Sequence, residues 1–421
     1  MFPSVEGPVA PARGGQAVRG GGVVRVMQAT DTVSMGGDVV IVDAVRSPLG
    51  RCGPGGALAG VRPSELLAQV ALALLDRAWL EPAAVSSVLM AGGAGFQDVA
   101  RETCSLIGVT PRSAAPVRPA STQQSIIHAA ARAVGRDDVV LVLAATKPGR
   151  STTKYRLSRQ GISAELVASW WELGRGEVDA YAQQSRWRAR EVAAMGEFGP
   201  EIIPTVVSSA ESRVLFEMDE TIAGDVPSGG GVPLFYDPDI ADRYPEIGWH
   251  LHAGNVSQPV MGAAAAVLVG GDRAIELGLR PRARILGLAE CAHTPGSRVC
   301  GAIRAARAVL ECTGIDPDEL DHYEISEAFP PIPLAWQREF DADINRLNPR
   351  GGSIGLGRPG PASGLRSLAT TLTALEATGG RLGIQVSEGL GSAGDAVLLE
   401  LLPRSWRFGP DGSTCCTGSA S

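Results

Sequence analysis

The chain has 421 residues, enough for two or three domains. Basic residues number 38 against 45 acidic ones, and the net charge of −7 is opposite in sign to a nucleic-acid-binding footprint. Hydrophobic residues make up 44% and charged ones 20%, too apolar for a disordered chain, and no run approaches the ~18 apolar residues of a membrane span.

Cysteine and lysine usage narrows the chemistry. The seven cysteines are scattered, odd in number and form no CxxC pair, so neither a disulfide framework nor a metal site is expected. A reducing, cytoplasmic compartment fits that usage. Lys147 and Lys154 are the only lysines, which leaves few candidates for Schiff-base chemistry.

Residues 1–37 are rich in Gly, Pro, Ala and Val without periodicity, and read as a flexible N-terminal extension with no secretory h-region. DVVIVDAV (38–45) is a short β-branched run of the kind a buried parallel strand needs. Pro63 opens a helix, with Leu66, Leu67, Val70, Leu74 and Leu75 at helical spacing. VSSVLMAGG (85–93) and DDVVLVLAAT (137–146) are further strands. Helix and strand alternate, which predicts an α/β fold. Residues 404–421 read as a disordered tail, and Cys415 and Cys416 within it supply too few ligands for a metal.

Self-comparison reveals a duplication. LLDRAWLEPAAVSSV (74–88) matches VLECTGIDPDELDHY (309–323) at a constant offset of 235. Pro119-Ala120-Ser121 opens an Ala-rich helix and then a strand; Pro361-Ala362-Ser363 does the same before RLGIQV (381–386). In the second copy the next strand, AVLLELL (396–402), follows closely; in the first it is delayed until AAAAVLVGG (263–271). The delay is filled by 148–252, too long for a plain loop and expected to form a lid subdomain covering the first copy. The expected organisation is one half from 38–147 plus 253–273, the insertion 148–252, and a second half from 274–403.

Several segments carry a family resemblance. They are VDAVRSPLGRCGPGGALAGVRPSELL (42–67), QGISAELVASWWELGRGEVDAYAQQSRWRA (160–189), HAGNVSQPVMGAAAAVLVG (252–270), YEISEAF (323–329), NPRGGSIGLGRPGPASG (348–364) and VSEGLGSAGDAVLLELL (386–402). In order and spacing they resemble the thiolase superfamily across 38–403. The resemblance implies a duplicated five-layer αβαβα core with an inserted loop subdomain. It also implies an acyl-thioester substrate carried on coenzyme A or a carrier protein, no permanently bound cofactor or metal, and a homodimer or tetramer.

Thiolases attack with a cysteine at a helix N-terminus, whose dipole and N–H groups favour the thiolate. A histidine of the GHP loop takes the thiol proton. A second cysteine in a CxG segment moves the α-proton, and an Asn of NEAF holds a water in an oxyanion hole. This sequence departs at each position. Pro119 or, with a one-residue shift, Ala120 stands for the nucleophile, Arg358 for the GHP histidine, Ser387 for the CxG cysteine and Ser326 for the Asn.

Each remaining residue has two readings. Ser121 is either a polarised hydroxyl or a helix N-cap. Arg358 cannot act as a base; it either binds a substrate anion or oxyanion, or pairs with Glu327 or Glu388. Ser387 and Ser326 could donate hydrogen bonds or hold a water. His128 is either a general base or a core histidine. His250 and His252 lack the ligands to complete a metal site. Trp170, Trp171 and Trp187 read as core of the insertion or a wall over the site. Ser257 falls where the family contacts coenzyme A. Two functions follow. One is an enzyme doing acyl transfer or C–C bond chemistry without a cysteinyl intermediate; the other is an inactive subunit supporting a partner of the same fold.

Overall fold

The computed structural model describes residues 24–28, 38–91, 96–117, 125–146, 153–208, 213–222, 231–291, 300–389, 393–403, 407–408 and 414–415. β1 (Val24–Gln28) precedes β2 (Val39–Arg46), buried along all eight residues, and the short β3 (Gly50–Arg51). α1 (Pro63–Arg77) begins on proline, whose missing N–H costs nothing in a first turn, and buries Leu66, Leu67, Val70, Leu74 and Leu75. β4 (Ser87–Ala91), α2 (Phe96–Leu106), β5 (Ser113–Val117), α3 (Ser125–Ala133) and β6 (Val139–Ala145) follow. The inserted segment holds α4 (Thr153–Trp170), α5 (Arg175–Ala194), the antiparallel pair β7 (Thr205–Ser208) and β8 (Arg213–Phe216), and α6 (Pro238–Arg243). β9 (Val260–Met261), β10 (Ala263–Gly270) and α7 (Gly271–Glu276) return the chain.

The second half runs β11 (Ala283–Cys291), α8 (Gly301–Thr313), β12 (His322–Ile325), α9 (Pro331–Phe340), α10 (Ser353–Leu356), α11 (Ser363–Thr378), β13 (Leu382–Glu388) and β14 (Gly394–Leu401). The strand order β5-β4-β6-β10-β2 in the first half is repeated as β12-β13-β14-β11 in the second. Leu347 makes a single parallel bridge to Tyr323 in the place that β5 takes beside β4. Directions repeat too: β4 runs parallel to β6 and β12 to β13, while β10 and β14 run antiparallel to both their neighbours. The start of β4 at Ser87 and of β12 at His322 reproduces the 235-residue offset read in the sequence. The two sheets join where Ile41 and Val40 of β2 pair with Ala283 and Arg284 of β11.

The layers follow from alternation along the strands. α1 and α2 pack on one face of the first sheet, with Leu66, Leu74 and Val70 against Val88, Leu141 and Val267. α3 and α11 fill the space between sheets, where Ile126, Ile127, Leu365 and Leu372 meet Ile41, Val142, Val397 and Leu399. α8 and α9 cover the far face of the second sheet, with Ile303, Val309 and Trp336 against Ile384, Val386 and Leu398. The result is the expected αβαβα arrangement.

Three features differ from the sequence reading. β1 lies inside the segment read as a flexible extension, yet it pairs along β11 from Val24–Cys291 to Gln28–Gly287; its VRVMQ suits a strand. In the segment read as a tail, Arg407–Phe408 and Thr414–Cys415 pair as a two-stranded ribbon. The insertion does not cover the first copy alone. Val167, Val178 and Tyr181 of its helices and Leu173 between them belong to the cluster of the second half, whereas Ile203, Val207 and Phe216 pack with the first. α5 buries one stripe, Val178, Tyr181, Ala182, Ser185, Ala189 and Val192, and Trp187 falls off that stripe at 61% exposure, so it is a surface residue rather than core.

Candidate functional site

The candidate residues sit on segments far apart in sequence that the fold draws into one continuous set of contacts. Arg358 lies two residues past the end of α10, after Gly357. Its N–H donates to the Gln258 carbonyl at 2.8 Å, and its own carbonyl accepts from the Val260 N–H at 3.1 Å. Its side chain is buried, at 9% exposure for the residue. Gly357 has φ +94°, and a Cβ there would lie 2.3 Å from Val260 Cγ1, so only glycine lets the loop lie flush on the returning chain. Thr146 Oγ1, at the end of β6, donates to the next carbonyl, that of Pro359, at 2.7 Å.

One residue along the same returning chain, Ser257 donates its hydroxyl to the Ala328 carbonyl at 3.1 Å. Ala328 ends the segment that begins at Ser326, and the Ser326 N–H donates to the Val386 carbonyl at 2.9 Å, beside Ser387. Ser257, Ser326, Arg358 and Ser387 are therefore linked by neighbouring backbone contacts. Ser121, Pro119 and Ala120 lie outside the described residues.

Glu327 organises this region. Its Oε1 accepts from Tyr181 Oη at 2.7 Å and Asn348 Nδ2 at 2.8 Å. Its Oε2 accepts from Ser185 Oγ at 2.7 Å and the Ile354 N–H at 3.1 Å. A carboxylate has about four lone-pair sites, and these donors fill them. All four of these donors are neutral. Burial, followed by the neighbouring Glu327 charge, pushes the Tyr181 phenol well above its ordinary pKa. α5 lies directly on the glycine loop: a Cβ at Gly351 or Gly355 would meet the Ser185 carbonyl at 2.4 or 2.7 Å.

Ser387 has a partner that sequence reasoning missed. Its Oγ donates to Asp395 Oδ1 at 2.5 Å, and the two residues are 2% and 0% exposed. Asp395 faces Ser387 across β13–β14 and faces Glu290 across β14–β11. The three side chains form a row on the face of the second sheet that meets α3 and α11. The signal was present in the sequence: Asp395 is a charged residue at the head of a strand whose next four residues are apolar and buried, where a carboxylate needs a donor.

His128 of α3 joins the end of that row, with Nδ1 3.3 Å from Glu290 Oε1. Arg132 Nη2 reaches the same oxygen at 3.2 Å. Burial at 1% exposure pushes the His128 pKa down to about 4, the Glu290 charge opposing only part of this, so the imidazole is neutral at pH 7. Its Nε2 is buried without a hydrogen-bond partner among the described residues.

Glu388 alternates to the opposite face, beside Cys300 at the N-cap of α8. Burial raises its pKa to about 8, and its Oε2 has no hydrogen-bond partner among the described residues. The Cys300 thiol is held well above its ordinary pKa by burial and then by Glu388, the reverse of a nucleophilic thiolate. Cys104 lies in α2, buried, with its thiol also pushed up. His252 Nε2 donates to Asp179 Oδ1 at 2.9 Å, and its Nδ1 accepts from the Gly254 N–H at 3.1 Å. Asn255 Nδ2 joins the same Asp179 oxygen at 2.8 Å, so this histidine pins the return segment. Among the described residues no cluster of His, Cys, Asp and Glu could hold a metal.

With this geometry in place, the comparisons with known proteins decide the family. The family model described as thiolase, N-terminal domain, matches residues 39–154 and 150–272, and that described as thiolase, C-terminal domain, matches 279–401. The chain belongs to the thiolase family. Among its relatives, a steroid 3-ketoacyl-CoA thiolase of Mycobacterium tuberculosis is 33% identical over 403 residues, covering 86% of this chain and 94% of the relative. An acetyl-CoA acetyltransferase of Chromobacterium violaceum is 31% identical, covering 82% of this chain and 95% of that one. The thiolase fold is shared with the acetyl-CoA acetyltransferase of Bacillus anthracis at a TM-score of 0.77 and 26% identity, over 87% of this chain and all of that one. Human mitochondrial 3-ketoacyl-CoA thiolase superposes with a TM-score of 0.75 at 23% identity, over 87% of this chain and 99% of that one.

Proposed function

We propose that this thiolase-family chain binds an acyl thioester, carried on coenzyme A or a carrier protein, and performs acyl transfer or C–C bond chemistry without a cysteinyl intermediate. The observation that carries this reading is Arg358. It is a buried guanidinium at the position of the family's loop histidine, on a glycine loop that lies against the returning chain next to Ser257. A guanidinium there favours the carbonyl oxygen of a thioester as negative charge develops on it. Ser326 and Ser387 lie on the adjoining segments for water and proton handling, with Ser121 or His128 as further candidates. Ser257 contacts the carrier.

Four cysteines of the described residues support the absence of a covalent thiol step at their positions. Burial raises the thiol pKa of Cys104, Cys291 and Cys300, and Cys52 shifts the same way. Relatives named for ketoacyl-CoA and acetyl-CoA chemistry support a coenzyme A thioester as the substrate class. We further infer a homodimer or tetramer working in the cytoplasm. No helix of the described residues is long and apolar enough to cross a membrane.

Mass spectrometry of the protein after incubation with acetyl-CoA and acetoacetyl-CoA, beside calorimetric binding of both, tests this reading. The expected result is binding, no thiolase turnover and no acyl group on cysteine. An acyl-cysteine adduct overturns it; failure to bind any acyl thioester favours the alternative, a non-catalytic subunit supporting a partner enzyme.

A further inference from the structure

The β7–β8 hairpin of the inserted segment has one closed edge and one open edge. On the closed side Gln69 of α1 stands in for a neighbouring strand. Its Nε2 donates to the Val206 carbonyl at 3.2 Å, and its Oε1 accepts from the Val206 N–H at 2.8 Å. Both backbone groups of Val206 therefore point away from β8. Val206 faces Leu215 in the β7–β8 register. In an antiparallel ladder the two residues of a facing pair either exchange both hydrogen bonds or both turn outward. Leu215 thus turns its N–H and C=O to the outer edge of β8. Arg213 repeats that orientation, and an extended chain carries it on to Glu217. Among the described residues no hydrogen bond reaches these outward groups, and Arg213 and Glu217 make no ion pair.

The side chains along this edge are apolar on both faces. Val214 and Leu215 alternate to opposite sides, yet they are 57% and 53% exposed, and Met218 just beyond is 71% exposed. Sheets normally cover, shorten or charge an edge of this kind, because it templates further pairing. A two-stranded sheet is also marginal by itself, and added strands supply what it lacks.

The sequence of the edge names its partner. Arg213, Leu215 and Glu217 share one face, with Arg213 and Glu217 ~13 Å apart along the chain, too far to pair within one copy. Across a two-fold axis they meet. Outward-turned residues must oppose outward-turned residues, so Leu215 can face Leu215 of a second copy but cannot face its Val214. That register sets Arg213 opposite Glu217 at both ends, and Val214 opposite Phe216 on the other face. An axis through Val214 or Phe216 would instead set a charge opposite Leu215. Opposite charges and apolar pairs at facing positions stabilise a sheet. A patch that complements itself in this way has the geometry of a two-fold interface.

We propose that β8 pairs antiparallel with β8 of a second copy of this chain, with Leu215 on the two-fold axis, to form one four-stranded sheet in the order β7, β8, β8, β7. The proposal rests on the homo-oligomer inferred above and names an edge that joins its copies; it is independent of the acyl-thioester chemistry.

Light scattering after size exclusion, at micromolar protein, tests it on wild type, Arg213→Glu, Glu217→Arg and the double variant. Each single reversal sets like charges opposite each other at both ends of the ladder and should halve the mass. The double variant exchanges the signs in the same register and should recover the wild-type mass. Both positions are exposed, so the urea midpoints of the dissociated protein should stay together. Leu215→Cys would bring two Cα atoms to ~5.5 Å, within disulfide reach, and should crosslink copies on mild oxidation above the wild-type background. Val214→Cys, whose copies lie on a diagonal, should not. A single reversal that keeps the wild-type mass, or a double variant that fails to recover it, overturns the β8 pairing and leaves the homo-oligomer standing. Crosslinking through Val214→Cys but not Leu215→Cys overturns the register. A monomeric wild type overturns the pairing and the homo-oligomer together.

Discussion

The Tyr181 hydroxyl donates to Glu327 Oε1 at 2.7 Å, which ties a helix of the inserted segment to the chain after β12. Ser185, one helical turn further on, holds the other oxygen. Removing the phenol oxygen with Tyr181→Phe leaves a buried carboxylate one donor short. The expected cost is about 1–3 kcal/mol, the range for an unsatisfied buried partner. Urea titration measures it; an unchanged midpoint would mean that the cage relaxes to fill the vacancy.

Arg46 makes the most enclosed ion cluster of the described residues. Its Nε lies 2.6 Å from Glu201, and Nη1 and Nη2 lie 2.7 and 2.9 Å from the two oxygens of Asp219, all wholly buried. Burial alone would lower the guanidinium pKa; the two carboxylates outweigh it and hold it above its ordinary value. Arg46→Ala strands two buried carboxylates, and a loss of about 3–5 kcal/mol is expected. Arg46→Lys should recover only part of that in the same unfolding measurement, since one ammonium cannot match the bidentate fork to Asp219. Equal stability of Arg46→Ala and wild type would show the cluster to be dispensable.

His128 makes stability pH-dependent. Its folded pKa of about 4 lies below the ordinary 6.5, so between those values the unfolded chain binds the proton more readily. The contribution is full above pH 6.5 and is lost as pH falls toward 4, on the order of 2–4 kcal/mol in all. Unfolding free energies at pH 7.5 and pH 4.5 should differ less in His128→Asn than in wild type. An identical difference in the two proteins would place the titration elsewhere.

Glu388 acts with the opposite sign. Its folded pKa of about 8 lies above the ordinary 4.5, so its contribution is full below pH 4.5 and lost as pH rises through 8. Glu388→Gln should therefore be more stable than wild type at pH 8.5, and the advantage should vanish at pH 5. Thermal unfolding at the two pH values checks it; no crossover contradicts the assignment.

The duplication was legible because each copy keeps its own turn chemistry: Pro82 and Pro317 open matching short 3-10 turns ahead of β4 and β12. The glycine loop was legible as well, since Gly357 answers to one steric demand. The cage around Glu327 was not. Tyr181, Ser185, Asn348 and Glu327 come from three distant segments, and no local pattern records which side chains a packed helix will bring together. The Ser387–Asp395 bond was hidden for a simpler reason. Register between β13 and β14 depends on where the intervening turn places the strands, and the sequence motif named only the serine. The position of the insertion was misjudged because the apolar stripe of α5 specifies that a partner exists without specifying which half supplies it.

The measurement that bears most directly on the account is calorimetric binding of a non-reactive acyl-CoA analogue, in which an amide replaces the thioester and keeps its carbonyl oxygen, to wild-type protein and to Arg358→Ala. If Arg358 faces the thioester oxygen, the substitution should weaken binding by ~1.5–3 kcal/mol, about 10- to 150-fold, with the unfolding transition unmoved. Unchanged affinity together with a lowered unfolding midpoint would make Arg358 a structural residue and contradict the proposed function.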